Sequence, residues 1–329
     1  MALILSASED HPELFHYTGI DGLKGIVKSQ TLRATHATYL SDTTEILAFQ
    51  DRLPALLNPA VTKIIRDFSR QSTANKILVA NIGGETKAPS AISTRITTAM
   101  FRALFGSSDI EPFSEPYVTS FCTPATEEIS AHGLLSQWRG YGQGGGYAIV
   151  FDTARLKIFL KEEYEKWRYS LFLGDVIYSS ESDEKIREEF GPHLDQLATS
   201  IKNWLITRGA DEALETTFDP LTRCACRYKH WGFHEEKEKR IVALLQHNHI
   251  SSAEKPRNIF TRGSAPIPCI YLFEGITDLP RKPLPITRII VGPHGKIDSN
   301  LRDVGSILKE CRLDIPVSKS DIPYVNHSG

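Results

Sequence analysis

The chain has 329 residues, enough for one large or two ordinary domains. Lys and Arg total 38 against 40 Asp and Glu, so no general basic field advertises nucleic-acid binding, and only a local patch is left open. Hydrophobic residues make up 41%, ordinary for a globular protein, and no apolar run is long enough to span a bilayer. The start, M-A-L-I-L-S-A-S-E-D, lacks a basic region and reaches acidic residues too soon for a signal peptide, so the expected location is the cytoplasm. Cys224 and Cys226 form C-x-C with no second pair at zinc-ligand spacing. All five cysteines read as reduced thiols, and no metal is expected.

Leu14 to Tyr17 reads as a short strand. Asp21 then looks like a helix N-cap, with Leu23, Ile26 and Val27 at helical spacing behind it. Residues 31–40 read as extended, and 42–53 as a second helix stopped by Pro54. Residues 55–112 hold helical stretches around Ile64 and Ile96, and residues 183–216 are helical by pattern; both read as helical insertions. Tyr117 to Cys122 is β-rich, Ile129 to Gly140 a helix, and Tyr147 to Phe151 a buried strand after a glycine turn. A helix over 154–169 and a short strand at Val176 to Tyr178 follow. Strands at Cys269 to Phe273 and Arg288 to Val291, a helix at Leu301 to Cys311 and a strand at Ile315 to Val317 complete the chain. Without strict βαβ alternation, the pattern predicts one α+β domain over residues 1–329, with its core at about 14–325.

Several familiar motifs fail. Gly140, Gly142 and Gly145 satisfy G-x-G-x-x-G by letter, but they follow a helix and open a strand, the reverse of the dinucleotide fingerprint. His234-Glu235 begins like H-E-x-x-H, but position 238 is Glu. Neither G-x-S-x-G nor a Walker A sequence is present.

The stretch Lys229 to Val242, K-H-W-G-F-H-E-E-K-E-K-R-I-V, carries the strongest chemical signal. Glu236 and Glu238 lie two residues apart before an apolar run, and in a strand they share a face. Two carboxylates there can hold a sugar hydroxyl and steady a developing positive charge. The plain alternative is a solvated charged face, with Glu236 and Arg240 an i,i+4 helix pair. His16-Tyr17-Thr18 ends the first strand, where His16 could bond a ribose or amide, or be satisfied by backbone. Tyr39, Ser41, Asp42 and Glu45 gather at a strand-to-helix junction; Tyr39 could stack on a heterocycle, or be core. Ser136, Trp138, Arg139 and Tyr141 could form a stacking wall with Arg139 on a phosphate, or a core anchor.

In order, H-Y-T with its L-x-x-I-V helix, L-S-D-T-T-E-I, V-T-S-F-C, S-Q-W-R-G-Y-G with G-Y-A-I-V-F-D, K-H-x-x-F-x-x-E-K-E-x-R-I-V, I-I-V-G-P and S-x-I-P-Y resemble the bacterial domain of unknown function 2971 family. The resemblance runs from about residue 14 to residue 325. L-S-D-T-T-E replaces the family's usual L-N-D-P-x-E. That family is in turn distantly similar to the ADP-ribosyltransferase fold, whose H-Y-E pattern resembles the order His16, Tyr39, Glu238. The resemblance implies a split mixed or antiparallel β-sheet core, with NAD in the cleft between two splayed sheets.

On that resemblance Glu238 would hold the nicotinamide-ribose 2′-hydroxyl and stabilise an oxocarbenium-like cation, and Glu236 would orient or deprotonate the acceptor. His16 would hold an NAD ribose, Tyr17 and Thr18 would frame it, and Tyr39 would stack on nicotinamide. Arg33 or Arg139, beside Trp138 and Tyr141, would meet the pyrophosphate. NAD is thus the expected substrate. The expected acceptor is a macromolecule, nucleic acid slightly ahead of protein, in a bacterial toxin or phage-defence effector that an antitoxin or regulator protein could accompany. A non-catalytic module sensing a nucleotide or phage component, and an NAD glycohydrolase, are the competing expectations. A transferase should keep the Glu238 carboxylate facing the cleft beside His16.

Overall fold

The computed structural model describes residues 3–5, 11–40, 44–106, 114–141, 146–207, 215–246, 254–277 and 282–323. Its elements are β1 (Leu3–Leu5), β2 (Glu13–Thr18), α1 (Ile20–Ser29), β3 (Leu32–His36), α2 (Thr44–Gln71), α3 (Thr73–Asn81), α4 (Gly84–Phe105) and β4 (Ser114–Cys122). Then come α5 (Glu127–His132), α6 (Leu135–Tyr141), β5 (Tyr147–Asp152), α7 (Thr153–Trp167), β6 (Ser170–Asp175), β7 (Ile177–Tyr178), α8 (Asp183–Ile206) and α9 (Phe218–Ala225). Last are β8 (Tyr228–Lys229), β9 (Glu238–Gln246), β10 (Asn258–Arg262), β11 (Ala265–Leu272), β12 (Ile286–Val291), α10 (Ile297–Glu310) and β13 (Val317–Lys319). The α+β class expected from the sequence is what the chain adopts.

Among the described residues eleven strands form one mixed sheet in the order β1-β6-β9-β4-β2-β5-β12-β13, with β3, β11 and β10 branching from β4. The branch has a simple cause. One edge of β4 runs along β9 for its whole length. The other edge serves two neighbours: Tyr117 and Val118 pair with β3, whereas Cys122 pairs with Phe15 of β2. At the fork, side chains replace ladder bonds. The His16 Nδ1 donates to the Ser120 carbonyl at 3.0 Å, and the Thr119 hydroxyl donates to the Arg33 carbonyl at 3.0 Å.

Helices cover both faces. Leu23 and Val27 of α1, Leu156 and Leu160 of α7 and Val304 of α10 pack on Ile149, Phe151, Ile241 and Ala243. On the other face, Phe49 and Leu53 of α2, Met100 of α4, Phe190 of α8 and Leu221 of α9 pack on Val118, Phe172, Val242 and Leu244. The expected insertion at 55–112 is therefore a layer on the sheet through α2 and α4.

Several boundaries differ from expectation. The N-cap of helix α1 is Gly19, not Asp21, which sits in the first turn. Pro54 does not end α2, which runs on through Pro59 to Gln71. The Pro59 ring leaves the Ala55 carbonyl without its helical donor, and Arg187 of α8 supplies one at 3.2 Å. The single helix expected at Ile129 to Gly140 breaks at Gly133, whose φ of +79° ends α5. Ser41, Asp42, Gly142 and Gly145 lie outside the described residues.

Gly133 is required for a second reason: a Cβ there would stand 2.4 Å from the Trp138 ring. Gly133→Ala should therefore lose about 3 kcal/mol of unfolding free energy, from positive φ and overpacking together. Gly140→Ala, in open space on α6, should be neutral or slightly stabilising. Urea unfolding of the two variants checks this, and equal stability would refute it.

Candidate functional site

Strand β9 begins at Glu238, opposite Cys122 of β4, and Cys122 in turn lies opposite Phe15 of β2. Cross-strand partners share a face, so these three side chains project together on the face that carries Val242 and Leu244, with Phe15 and Cys122 packed beside Trp138. Glu236 does not share the strand. It ends a 3-10 turn, Trp231–Glu236, and Lys237 follows with φ +42° to swing the chain into β9. The loop closes on itself because Lys229, at the end of β8, reaches back to both carboxylates. Its Nζ lies 2.9 Å from Glu236 Oε2 and 2.8 Å from Glu238 Oε2.

Arg240, two residues along β9, holds Glu238 with both arms: Nε to Oε1 at 2.7 Å and Nη2 to Oε2 at 3.1 Å. The same Nη2 lies 3.1 Å from Glu45 Oε2, in the first turn of α2. Nη1 donates to the Cys226 carbonyl at 2.9 Å. The Glu238 backbone N–H donates to the Tyr178 hydroxyl at 3.0 Å. Glu238, Arg240 and Glu45 are all buried. The i,i+4 pairing of Glu236 with Arg240 therefore does not form: there is no helix here, and Arg240 turns inward to Glu238 and Glu45.

Three carboxylates face two cations, so full ionisation would leave one excess negative charge in a buried place. The groups resolve this by titrating apart. Burial would raise Glu238, but Arg240 and Lys229 outweigh it and bring the carboxyl down to about 2. Burial pushes Glu45 up to about 7 against the pull of Arg240 and Lys229. Glu236 is also raised by burial, opposed by Lys229. One carboxylate is thus held firmly ionised while its neighbours keep protons more readily. Such a pair can supply a fixed negative charge and a proton-handling group side by side. Tyr141 at the end of α6 lies near enough to feel Glu238 and Glu236; its phenol is raised by desolvation and by these charges, while 52% of the residue remains exposed.

The other expected site residues are dispersed. Alternation along β2 turns His16 away from the face of Phe15, Cys122 and Glu238, and its ring rests 5.7 Å from Phe121. His16 therefore stands in the fork, kept neutral by burial, but not beside Glu238. Tyr39 packs edge-on against His36, whose β4 partner is Tyr117. That is five residues from Cys122, roughly 17 Å of strand. Tyr17 is enclosed: its hydroxyl accepts from the Leu134 N–H at 2.8 Å and its ring meets Trp138 edge-on at 4.9 Å. Trp138 is 1% exposed and donates to the His132 carbonyl, so it is a core anchor with no ring face left for a ligand. Thr18 packs its hydroxyl against Gly22. Arg33 lies on the face of the β3-β11 ribbon, and Arg139 is exposed on α6. Of the expected set, Glu236, Glu238 and Tyr141 come together.

Lys229, Arg240, Glu45, Tyr178 and Cys122 complete the cluster and were not singled out as site residues by sequence. Lys229 and Arg240 carried a signal inside the K-H-x-x-F-x-x-E-K-E-x-R motif, Glu45 inside L-S-D-T-T-E-I and Cys122 inside V-T-S-F-C, whereas Tyr178 fell only in an expected short strand. Among the described residues no His, Cys, Asp and Glu group could hold a metal ion, and no helix is long and apolar enough to cross a membrane.

No curated protein and no solved structure matches the chain. Residues 137–241 hold Tyr141, Lys229, Glu236, Glu238 and Arg240 together, and this segment of the chain matches the family described as Protein of unknown function (DUF2971).

Proposed function

We propose that the protein is an NAD-dependent ADP-ribosyltransferase acting on a macromolecular acceptor, with Glu238 and Glu236 as its reaction centre. The observation that carries this reading is a pair of carboxylates of unequal proton affinity sharing Lys229 at the head of a central strand. Breaking the nicotinamide–ribose bond builds positive charge on the ribose, as in glycoside hydrolysis. Glu238, ionised and fixed by Arg240, supplies a preorganised negative charge. Glu236, raised by burial and less enclosed, takes the acceptor's proton. Tyr141, half exposed and close enough to feel both charges, takes the stacking role in place of Tyr39. The forked sheet at β4 supports the resemblance to a split-sheet fold. His16, Thr18 and Arg33 are not required by this reading.

One observation favours a second reading, a non-catalytic nucleotide-sensing module. Both oxygens of Glu238 are already held by cations, and His16 does not face it. The deciding experiment is nicotinamide release from NAD by wild type, Glu236→Gln and Glu238→Gln, with and without RNA, DNA or cell lysate. Transfer predicts release that an acceptor stimulates and that falls by about two orders of magnitude or more in Glu236→Gln, a loss within the range of general acid–base catalysis. Release without any acceptor would mark a glycohydrolase. Absence of release from folded wild type in every condition, or full turnover in folded Glu238→Gln, would overturn the transferase reading.

A further inference from the structure

The ribbon β3-β11-β10 leaves the fork with one face in the core and one face out. Leu32, Ala34, Ile270 and Leu272 are buried inward. Arg33 lies opposite Tyr271, and Phe260 opposite Ile267, so the register puts Arg33, Tyr271, Phe260 and Arg262 on the other face. The Arg33 guanidinium lies over the Phe260 ring, 3.6 Å from its centroid, and Arg262 approaches the same ring at 5.9 Å. Arg33 and Arg262 are exposed.

The charges on this face are unbalanced. Other arginines on the sheet find carboxylates, as Arg257 finds Glu115 and Arg288 finds Glu13. Among the described residues neither Arg33 nor Arg262 has an ion pair, and the two repel one another across Phe260. Two like charges held around an aromatic ring, without an anion, are destabilising alone and complementary to phosphates spaced around a base. Among the described residues β10 pairs only with β11, which leaves its other edge to a ligand lying across the ribbon.

We infer that this ribbon face binds single-stranded nucleic acid, Phe260 and Tyr271 stacking on bases while Arg33 and Arg262 hold adjoining phosphates. A duplex keeps its bases stacked inward and cannot use the rings. The near-neutral chain as a whole gives no general attraction, so the recognition is local and of modest affinity. The inference names a docking surface for the acceptor of the proposed transferase, yet the binding itself needs neither NAD nor the Glu236–Glu238 pair.

The test is fluorescence anisotropy without NAD, using labelled mixed-sequence oligoribonucleotide, the matching oligodeoxyribonucleotide and the matching duplex. Wild type should bind a single strand better than the duplex, and comparison of the RNA and DNA arms identifies the sugar it prefers. Phe260→Ala should weaken binding roughly ten- to a hundredfold. Arg262→Gln should weaken it severalfold and reduce the salt slope by about 0.7. Ile259→Ser, on the opposite face of the ribbon, should bind as wild type does. Unchanged thermal unfolding shows that each variant is folded, and Arg262→Gln serves if Phe260→Ala does not fold. No single-strand binding by wild type, duplex binding of equal strength, or unchanged binding by folded Phe260→Ala and Arg262→Gln would overturn the inference. None of these results depends on nicotinamide release, so this inference and the transferase reading fail separately.

Discussion

Replacing Arg240 with methionine should destabilise the protein by about 3–5 kcal/mol, the range for removing one partner of a buried ion pair. The cost comes from what remains, not from what is lost. Glu238 and Glu45 would keep their places inside the protein with only Lys229 to balance them. The Cys226 carbonyl would lose its donor as well. Methionine fills much of the same volume, so the loss is not chiefly a cavity. An exposed pair provides the contrast. Lys28 and Glu310 are 3.2 Å apart with 50% and 65% of their side chains in solvent, and Lys28→Ala should change stability by less than about 0.5 kcal/mol. Urea unfolding of the two variants against wild type measures both numbers. If Arg240→Met lost no more than Lys28→Ala, the cluster would not be a buried, mutually dependent network.

Why the cluster escaped the sequence while its central strand did not is a matter of range. Ile241 to Leu245 is a continuous apolar run after charged residues, a local pattern that marks a buried strand. The same holds for β5, Tyr147–Asp152, and for α1, whose Leu23, Ile26 and Val27 fall on one face. Strand β6 was missed because Leu171 to Leu173 directly follow α7 and continue its apolar pattern. Strand β10 was missed because N-I-F-T-R is mostly exposed and has no buried face to betray it. The chemistry of the site depends on longer reach. Glu45 meets Arg240 across 195 residues, and from sequence it looks like any acid in a helix's first turn. Glu236 and Glu238 were visible as a pair, but the reason they converge is the 3-10 turn and the left-handed Lys237 between them. His16 was visible as a polar residue on a strand, and its face was set by the single β2-β4 pairing at Phe15 and Cys122, which no local pattern contains.

Glu45 supplies a test of the charge balance itself. Its folded pKa is about 7 against an ordinary value of 4.5, raised by burial. A carboxyl with a raised folded pKa binds more protons in the folded state than in the unfolded one between those two values. Its contribution to stability therefore falls as pH rises from about 4.5 to 7, by no more than about 3 kcal/mol. Glu238 has the opposite sign, because its pKa is depressed: its stabilisation is present above 4.5 and is lost as pH falls toward 2. Above pH 5.5 or so Glu238 is ionised in both states and adds little slope. Three histidines, His16, His36 and His193, are lowered by burial and favour folding as pH rises through their unfolded range. The raw wild-type curve thus mixes opposing slopes, and the informative quantity is the difference between wild type and Glu45→Gln. Glutamine imitates the protonated carboxyl and can keep an acceptor oxygen for Arg240. The two proteins should be similar in stability near pH 4.5, and Glu45→Gln should become progressively the more stable as pH approaches 7. The rise belongs to the carboxyl that Arg240 and Lys229 cannot neutralise once Glu238 and Glu236 have claimed them. Glu236 is the other group able to hold the spare proton, so Glu236→Gln should shift the Glu45 titration to lower pH. If wild type instead gained on Glu45→Gln with rising pH, Glu45 would be an ionised partner of Arg240, and the proton that balances the cluster would have to reside on Glu236.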